Sequence, residues 1–559
     1  MAAVEPSRLG DAALGPIASV RGDPGLILAL AGLLSFSSLC YELLIVRVLT
    51  ELIGDAVVFQ ALTIGTYLAA VGVGGFWASS GEDPRRRLIS IEVALVAFGA
   101  LLAAIVFMLY VGVKLAVFPG AVDFADVYDH ASRARWIFVG SAEGLTAVLG
   151  LLTGFELPLL LRWASLANAP SPNRVLAANY FGGLLGTLVF TWLLLPRLSA
   201  IQSGVIVAVG FNGLALVLIW RRRVLAVLVI AMIAPLFLLG PWVERVVTKS
   251  FYYGVGVERP GFSKTSGLNE MWARPEIDRE RSVYQVIDLV RADEAFEGRP
   301  MSELYLNGRI QVSPSWSAAY HESLVHIPVQ FFRRVPKNVL VLGGGDGVIV
   351  REILKYRAVE RVTMVELDGR MIELARSHPW FLEQNGGALF DAKVEVIVAD
   401  AVGWLRRNRE TFDAVYVDFP DPVGYDLLKL YSVEVYRMIG WALADGGFLA
   451  LDVPIYSAVQ VPSRPKEFLD WNTRVFSTLE AARMRQVIPF RGAEHSFIAA
   501  RGEPSDVSRD WVDRGIPLSF LSADSFRRAR RFEFPHELDR SRVVSMFWPP
   551  LTEFPDPVF

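Results

Sequence analysis

The sequence predicts an N-terminal α-helical transmembrane bundle, then a small antiparallel β unit, then an open α/β domain. Three observations predict it. Apolar runs long enough to span a bilayer fill the chain up to residue 241. After Trp242 charge rises, and short alternating segments surround a hairpin signal, Asn307-Gly308. From Asn338 onward strand-like apolar runs alternate with helical patterns, and the first of them enters a cluster of glycines. At 559 residues, 53% of them hydrophobic and with a positive mean hydropathy, the chain exceeds one ordinary domain and falls in the membrane class. A net charge of -3 makes no case for nucleic-acid binding. Cys40 is the single cysteine, which excludes an intrachain disulfide and a cysteine-built metal site.

Residues 1–24 are small, polar and interrupted by Pro and Gly, and read as a disordered tail. The first apolar run starts at Gly25 and lacks a small-residue cleavage site, so it reads as an uncleaved membrane helix. Further runs lie near 56–79, 88–113, 137–161, 175–196, 201–219 and 224–241, which gives about seven spans. Gly72, Gly74 and Gly75 in the second run, and Gly182, Gly183 and Gly186 in the fifth, allow helices to approach closely. Glu42, Glu143, Glu156 and Asn179 interrupt the apolar runs, and an acid at membrane depth is a functional candidate by default. Glu42 lies near Arg47, however, and Glu156 sits beside Pro158, so structural pairing or interfacial placement reads equally well. Arginines cluster in the N-terminal tail and in the second, fourth and sixth loops, which places the N-terminus in the cytoplasm. Seven spans then put the charged half outside, so either one span is miscounted or the domain is periplasmic.

Val283–Val290 and Glu303–Val312 alternate in polarity around the Asn307-Gly308 signal, as strands of a small antiparallel sheet do. A helical pattern, Ser317–Phe332, joins this unit to the α/β domain and ends before Arg333, Arg334 and Pro336.

In the α/β domain Val339–Leu342 reads as a buried parallel strand running into Gly343, Gly344, Gly345, Asp346 and Gly347. Glycines there let the backbone approach a ligand, and the helix that follows offers unpaired N–H groups. Purely structural turns share this pattern. A second strand, Arg361–Leu367, carries Glu366 about twenty residues past the glycines, where a carboxylate can hold both hydroxyls of a ribose. Val394–Val398 leads to Ala399 and Asp400, and Phe412–Val417 leads to Asp418. Ligands of open α/β sheets bind outside the carboxyl ends of the strands, so the three acids converge on one crevice. Any one of them alone reads equally well as a helix N-cap.

Taken in order, LYLNGRIQ, YHESLVHIP, VLVLGGGDG, VTMVELD, VADAVGWL, FDAVYVDFPDP and LYSVEVY resemble the spermidine synthases, the aminopropyltransferases of polyamine synthesis. The resemblance covers about residues 280–500, and the apolar N-terminal half resembles the membrane-anchored branch of that family. It implies a Rossmann-like, methyltransferase-type catalytic domain over 326–559, preceded by a tail (1–24), a bundle (25–241) and a linker with a β-hairpin substrate subdomain (242–325). It implies decarboxylated S-adenosylmethionine as co-substrate, no tightly bound cofactor, no metal, and a small amine such as putrescine as acceptor. It implies Asp421 as catalytic base with Asp418 beside it. Glu366 would hold the ribose, Asp400 with Ala401 the adenine, Gln285 the thioether nucleoside, and Gly343 and Gly345 the turn around it. Gln311, Tyr320, His321, Asp346 and Asp418 would hold the amine and the aminopropyl chain. The expected location is the cell membrane, multi-pass, with the bilayer as partner and homo-oligomer formation left open.

Elementary chemistry agrees with that set. An attacking alkylamine is protonated at neutral pH, with a pKa near 10 as for Lys, so a base must take its proton. Acids attract a dication, and Asp346 would favour the ammonium of a decarboxylated donor while repelling a carboxylate. The sequence departs from the family at Trp316 and Ser317, where an Asp-Glu pair is usual, and at Asn307, Val348, Val423, Gly424 and Tyr425. These departures bear on the acceptor more than the donor. Two other classes fit the same fold: an S-adenosylmethionine-dependent N-methyltransferase, and a non-catalytic membrane sensor of polyamine or nucleoside.

Overall fold

The computed structural model describes residues 23–53, 56–78, 83–117, 124–166, 170–220, 222–253, 268–296, 299–422, 427–456, 465–492 and 495–547. The expected tail up to residue 22, and the departures at Val423, Gly424 and Tyr425, lie outside them. The chain divides into two units, one drawn from the chain up to Ile45, Leu62–Val106 and Ser141–Glu244, the other from Val46–Ala61, Phe107–Gly140 and the chain from Arg245 onward.

The first unit is helical. Among the described residues seven helices are long and apolar enough to cross a membrane: Pro24–Leu52, Phe59–Trp77, Pro84–Val113, Arg133–Leu166, Pro172–Leu194, Ala200–Ile219 and Arg223–Tyr253. Small residues let them touch backbone to backbone. A Cβ on Gly182 would strike Gly32 O, one on Gly186 Phe36 O, and one on Gly74 Leu151 O, whereas Gly72 faces open space. Two of the buried acids, Glu143 and Glu92, accept hydrogen bonds. Glu143 Oε1 accepts from Thr63 Oγ1 at 3.0 Å. Glu156, which the sequence placed near a helix end, is 4% exposed. Glu92 escaped the sequence reading; its Oε2 accepts from Asn212 Nδ2 at 2.9 Å, and Asn212 Oδ1 accepts from Tyr41 Oη at 3.0 Å. In the second unit, Arg47 forms an ion pair with Glu51 at 2.8 Å, one turn further along the helix.

Composition changes after Trp242, but the helix does not end there: Leu236–Tyr253 is continuous. Loss of hydropathy marks where an apolar surface stops, not where backbone hydrogen bonding stops. Four strands then form an antiparallel sheet in the order β1 (Asp278–Arg281), β2 (Val286–Phe296), β3 (Arg299–Leu306) and β4 (Arg309–Val312). The hairpin signalled within Glu303–Val312 forms: β3 turns into β4 at Asn307 (φ 49°) and Gly308 (φ 77°), with both central residues left-handed. Asn307 suits it twice over, because its Oδ1 also accepts from Val286 N at 2.9 Å.

The helix Pro314–Phe332 follows, with Pro314 in its first turn, where a missing N–H costs nothing. It is buried from Ala319 to its end, and Arg333 stops it in a left-handed conformation (φ 53°). The second sheet has seven strands: β5 (Asn338–Gly343), β6 (Arg361–Glu366), β7 (Val394–Val398), β8 (Phe412–Asp418), β9 (Leu443–Asp452), β10 (Gln486–Gly492) and β11 (His495–Arg501). Their spatial order is β10-β11-β9-β8-β5-β6-β7. β5 to β9 run parallel, and β11 and β10 add an antiparallel edge. Both faces are covered, so the central strands are apolar throughout: Val339 and Val341 enter one core, Leu340 and Leu342 the other. Strand order reverses between β5 and β8, and the crevice of a doubly wound sheet opens at such a point.

Candidate active site

At that switch point Gly343 pairs in register with Asp418, and Gly344 N donates to Asp418 O at 3.0 Å. A side chain on Gly343 would collide with Asp418 O, and its φ of 83° is left-handed as well, so glycine is required there. At Gly345 the reason differs: a Cβ would come within 3.0 Å of the Glu366 carboxyl. The turn thus keeps space for two acids, one on each neighbouring strand.

Glu366 ends β6, and its Oε1 accepts from Asp368 N at 2.8 Å. Burial, with the charges of Asp368 and Asp346 adding to it, pushes its carboxyl up to about 7 despite that N–H. Asp368, which the sequence reading passed over, is 3% exposed and accepts from Gln285 Nε2 at 2.8 Å. This bond ties Gln285, at the entrance to β2, to the residue whose N–H donates to Glu366. Asp346 is half-buried; its Oδ1 accepts from Val348 N at 2.8 Å, so it caps the turn as well as facing Glu366 and Asp418. Asp400 is exposed and is an N-cap in fact: its Oδ2 accepts from Gly403 N at 2.6 Å, ahead of the buried Ala401.

On the other side of the switch point, the Tyr320 hydroxyl lies 2.8 Å from Asp418 Oδ1 and 2.8 Å from Asp452 Oδ2. Burial pushes the Asp418 carboxyl up to about 6, opposed by His321 and reinforced by Asp346. Burial, and then the Asp421 charge, hold Asp452 well above the usual carboxylate range. His321 is 1% exposed, and its Nδ1 lies 2.8 Å from Ser317 O. A carbonyl only accepts, so Nδ1 carries the hydrogen. Trp316 and Ser317, the departures from the family's acidic pair, both serve this cluster: Ser317 orients His321, and the Trp316 ring sits 4.7 Å from His495 and 5.9 Å from Tyr320. Burial pushes His495 down to about 4. Asp421 is exposed just after β8, in a turn braced by Tyr431 Oη, which donates to Pro420 O at 3.0 Å. Gln311 turns to its own strand and donates to Ile310 O at 3.1 Å.

Asp452 was missed, although its signal was of the kind that revealed the others, an apolar strand, Phe448–Leu451, ending in an acid. With it, acids stand at the carboxyl ends of four adjacent strands: Glu366 on β6, Asp346 after β5, Asp418 on β8 and Asp452 on β9. At about 4.8 Å between strands, the row is roughly 14 Å long.

Such a sheet, with a glycine turn and a row of acids at its switch point, defines a doubly wound α/β domain with a ligand crevice at the carboxyl ends of its strands. The spermine/spermidine synthase domain matches residues 317–453. The polyamine aminopropyltransferase of Oceanobacillus iheyensis is 32% identical over 438 residues, 76% of this chain and 77% of that one. Those of Leptospira interrogans and Corynebacterium efficiens are each 31% identical, covering 91% and 93% of this chain and 93% and 95% of their own. A spermidine synthase solved in complex with the transition-state analogue AdoDATO is 21% identical, with a TM-score of 0.39 over 46% of this chain and 85% of that one. The chain belongs to the polyamine aminopropyltransferase family, and its activity is that of an aminopropyltransferase.

Proposed function

We propose that the chain transfers the aminopropyl group of decarboxylated S-adenosylmethionine to putrescine or a related short amine, giving spermidine or its analogue and methylthioadenosine. The row of acids carries this reading. Glu366 at one end suits the ribose, Asp346 the donor's free ammonium, and Asp418 with Tyr320 and Asp452 the cationic acceptor. The amine nitrogen attacks the methylene next to the sulfonium, a C–N bond forms, and the C–S bond breaks with its electrons returning to sulfur. The proton lost by the attacking ammonium goes to Asp421, whose charge acts on Asp452 and Tyr431 and so lies within reach of the cluster. The seven long apolar helices among the described residues, with side chains such as Met232 (82% exposed) and Leu238 (80%) facing outward, support a multi-pass protein of the cell membrane.

The test is incubation of the full-length protein in detergent with decarboxylated S-adenosylmethionine and a panel of amines, with product masses read out. Aminopropylated putrescine and methylthioadenosine are expected in equal amounts. Methylated amine from ordinary S-adenosylmethionine, with no product from the decarboxylated donor, would overturn the reading.

A further inference from the structure

The Tyr320 hydroxyl has one proton and two carboxyl neighbours at equal distance. It can donate to only one of them, so the other contact holds only if that carboxyl is itself protonated and donates to the hydroxyl oxygen. The alternative, a tyrosinate between two acids, is disfavoured by burial and by both carboxylates. The proton belongs on Asp452, because Asp418, although it faces the acid Asp346, also faces His321, whereas Asp452 faces acids and hydroxyls alone: Asp421, Asp418, Tyr320 and Tyr431. Asp452 is also the last residue of β9, hydrogen-bonded in register beside β8, so it stands on the far side of Asp418 from the glycine turn.

We propose that Asp452 is an acceptor-recognition residue that is neutral in the empty site and gives its proton to solvent when the amine binds, becoming the counter-ion of one of the acceptor's ammonium groups. The inference rests on the aminopropyl-transfer reading above. The balance is simple: R–NH3+ and Asp452–COOH become an R–NH3+···carboxylate pair and one H+ in solution. The site therefore selects a protonated alkylamine over a neutral one of the same length, and it couples amine affinity to pH.

The experiment is titration calorimetry of putrescine into the full-length protein saturated with methylthioadenosine, at pH 7 in two buffers of different ionisation enthalpy. The wild type is expected to release about one proton more per amine than Asp452→Asn. The variant should raise KM for putrescine tenfold or more, with KM for the donor changed less than twofold. Asp452→Glu should restore part of the proton release. Since Asp452→Asn removes an acid that folding must bury, the empty variant should melt higher than the wild type at pH 8, whereas loss of a merely structural residue lowers the melting temperature. Equal proton release with an unchanged KM for putrescine would overturn the inference while leaving aminopropyl transfer intact. A wild type that forms no aminopropylated amine would instead overturn the functional reading itself.

Discussion

Glu366 combines two demands that pull its carboxyl in opposite directions. A ribose needs an ionised acceptor, yet burial and neighbouring acids hold this group up to about 7. Because its folded value lies above its unfolded one, its share of stability is fully present below about pH 4.5 and is lost as pH rises through about 7. Affinity for methylthioadenosine should accordingly rise between pH 6 and pH 8 as the carboxylate forms. Glu366→Gln should flatten that rise, weaken the nucleoside roughly tenfold at pH 8, and melt progressively higher than the wild type from pH 5 to pH 8. A pH-independent wild-type affinity would remove Glu366 from the ribose. For Asp421→Asn the expectation is kinetic: kcat falls roughly a hundredfold or more while methylthioadenosine affinity stays within twofold. Near-normal turnover would assign the base elsewhere, with Asp418 next in line. At this scale the sequence named the acids that end short strands, Asp452 excepted, and it missed those whose meaning comes from a distant partner. Asp368 matters through Gln285, 83 residues away, and Glu92 through Asn212, 120 residues away.

Among the elements, the helix Pro314–Phe332 couples the site to the C-terminal segment. Tyr320 and His321 face the acids, and one residue on, Glu322 accepts from Ser519 N (2.7 Å), Phe520 N (2.9 Å) and Leu521 N (2.8 Å). Three backbone donors on one buried carboxylate make it an anchor rather than a reagent. Glu322→Ala leaves them without acceptors and should cost about 3 kcal/mol or more, with Glu322→Gln intermediate. Protease cleavage near residues 519–534 should speed up in the alanine variant at temperatures where the rest of the chain is folded. An unchanged melting temperature and cleavage rate would show that the segment is held by its apolar contacts alone. The parallel strands were legible because burial on both faces makes each a continuous apolar run, and the Asn307-Gly308 turn because few residue pairs tolerate two left-handed positions. Less legible was β9, where Gly446 and Gly447 interrupt the apolar pattern and hide a strand that ends in Asp452.

For the whole molecule, the boundary between apolar and charged sequence is not the boundary between units. The helix that passes through Trp242 ends in residues that belong to the second unit. Lys249 Nζ reaches Arg274 O at 2.8 Å, Tyr252 Oη donates to Asp288 Oδ2 at 2.7 Å, and Tyr253 Oη donates to Arg291 O at 3.1 Å. Tyr252 and Tyr253 share a core with Met271, Val290 and Tyr305, and Phe251 rests against the Gly308 turn. A chain cut to begin at Val243 keeps all of this and every acid of the site, so it should fold and bind methylthioadenosine within a few-fold of the full-length protein. One cut to begin at Leu268 strips Asp288 of one partner and opens the tyrosine core. Its β unit should lose about 1 kcal/mol for the lost hydrogen bond, since Arg279 keeps the Asp288 carboxylate paired, and its nucleoside affinity should fall because Gln285 sits at the entrance to that sheet. Melting curves and methylthioadenosine titrations of the two chains measure both effects. If the Val243 chain is folded by circular dichroism yet binds no nucleoside, the helical unit contributes to the site, and the Glu92–Glu156 pair is where substitution should begin.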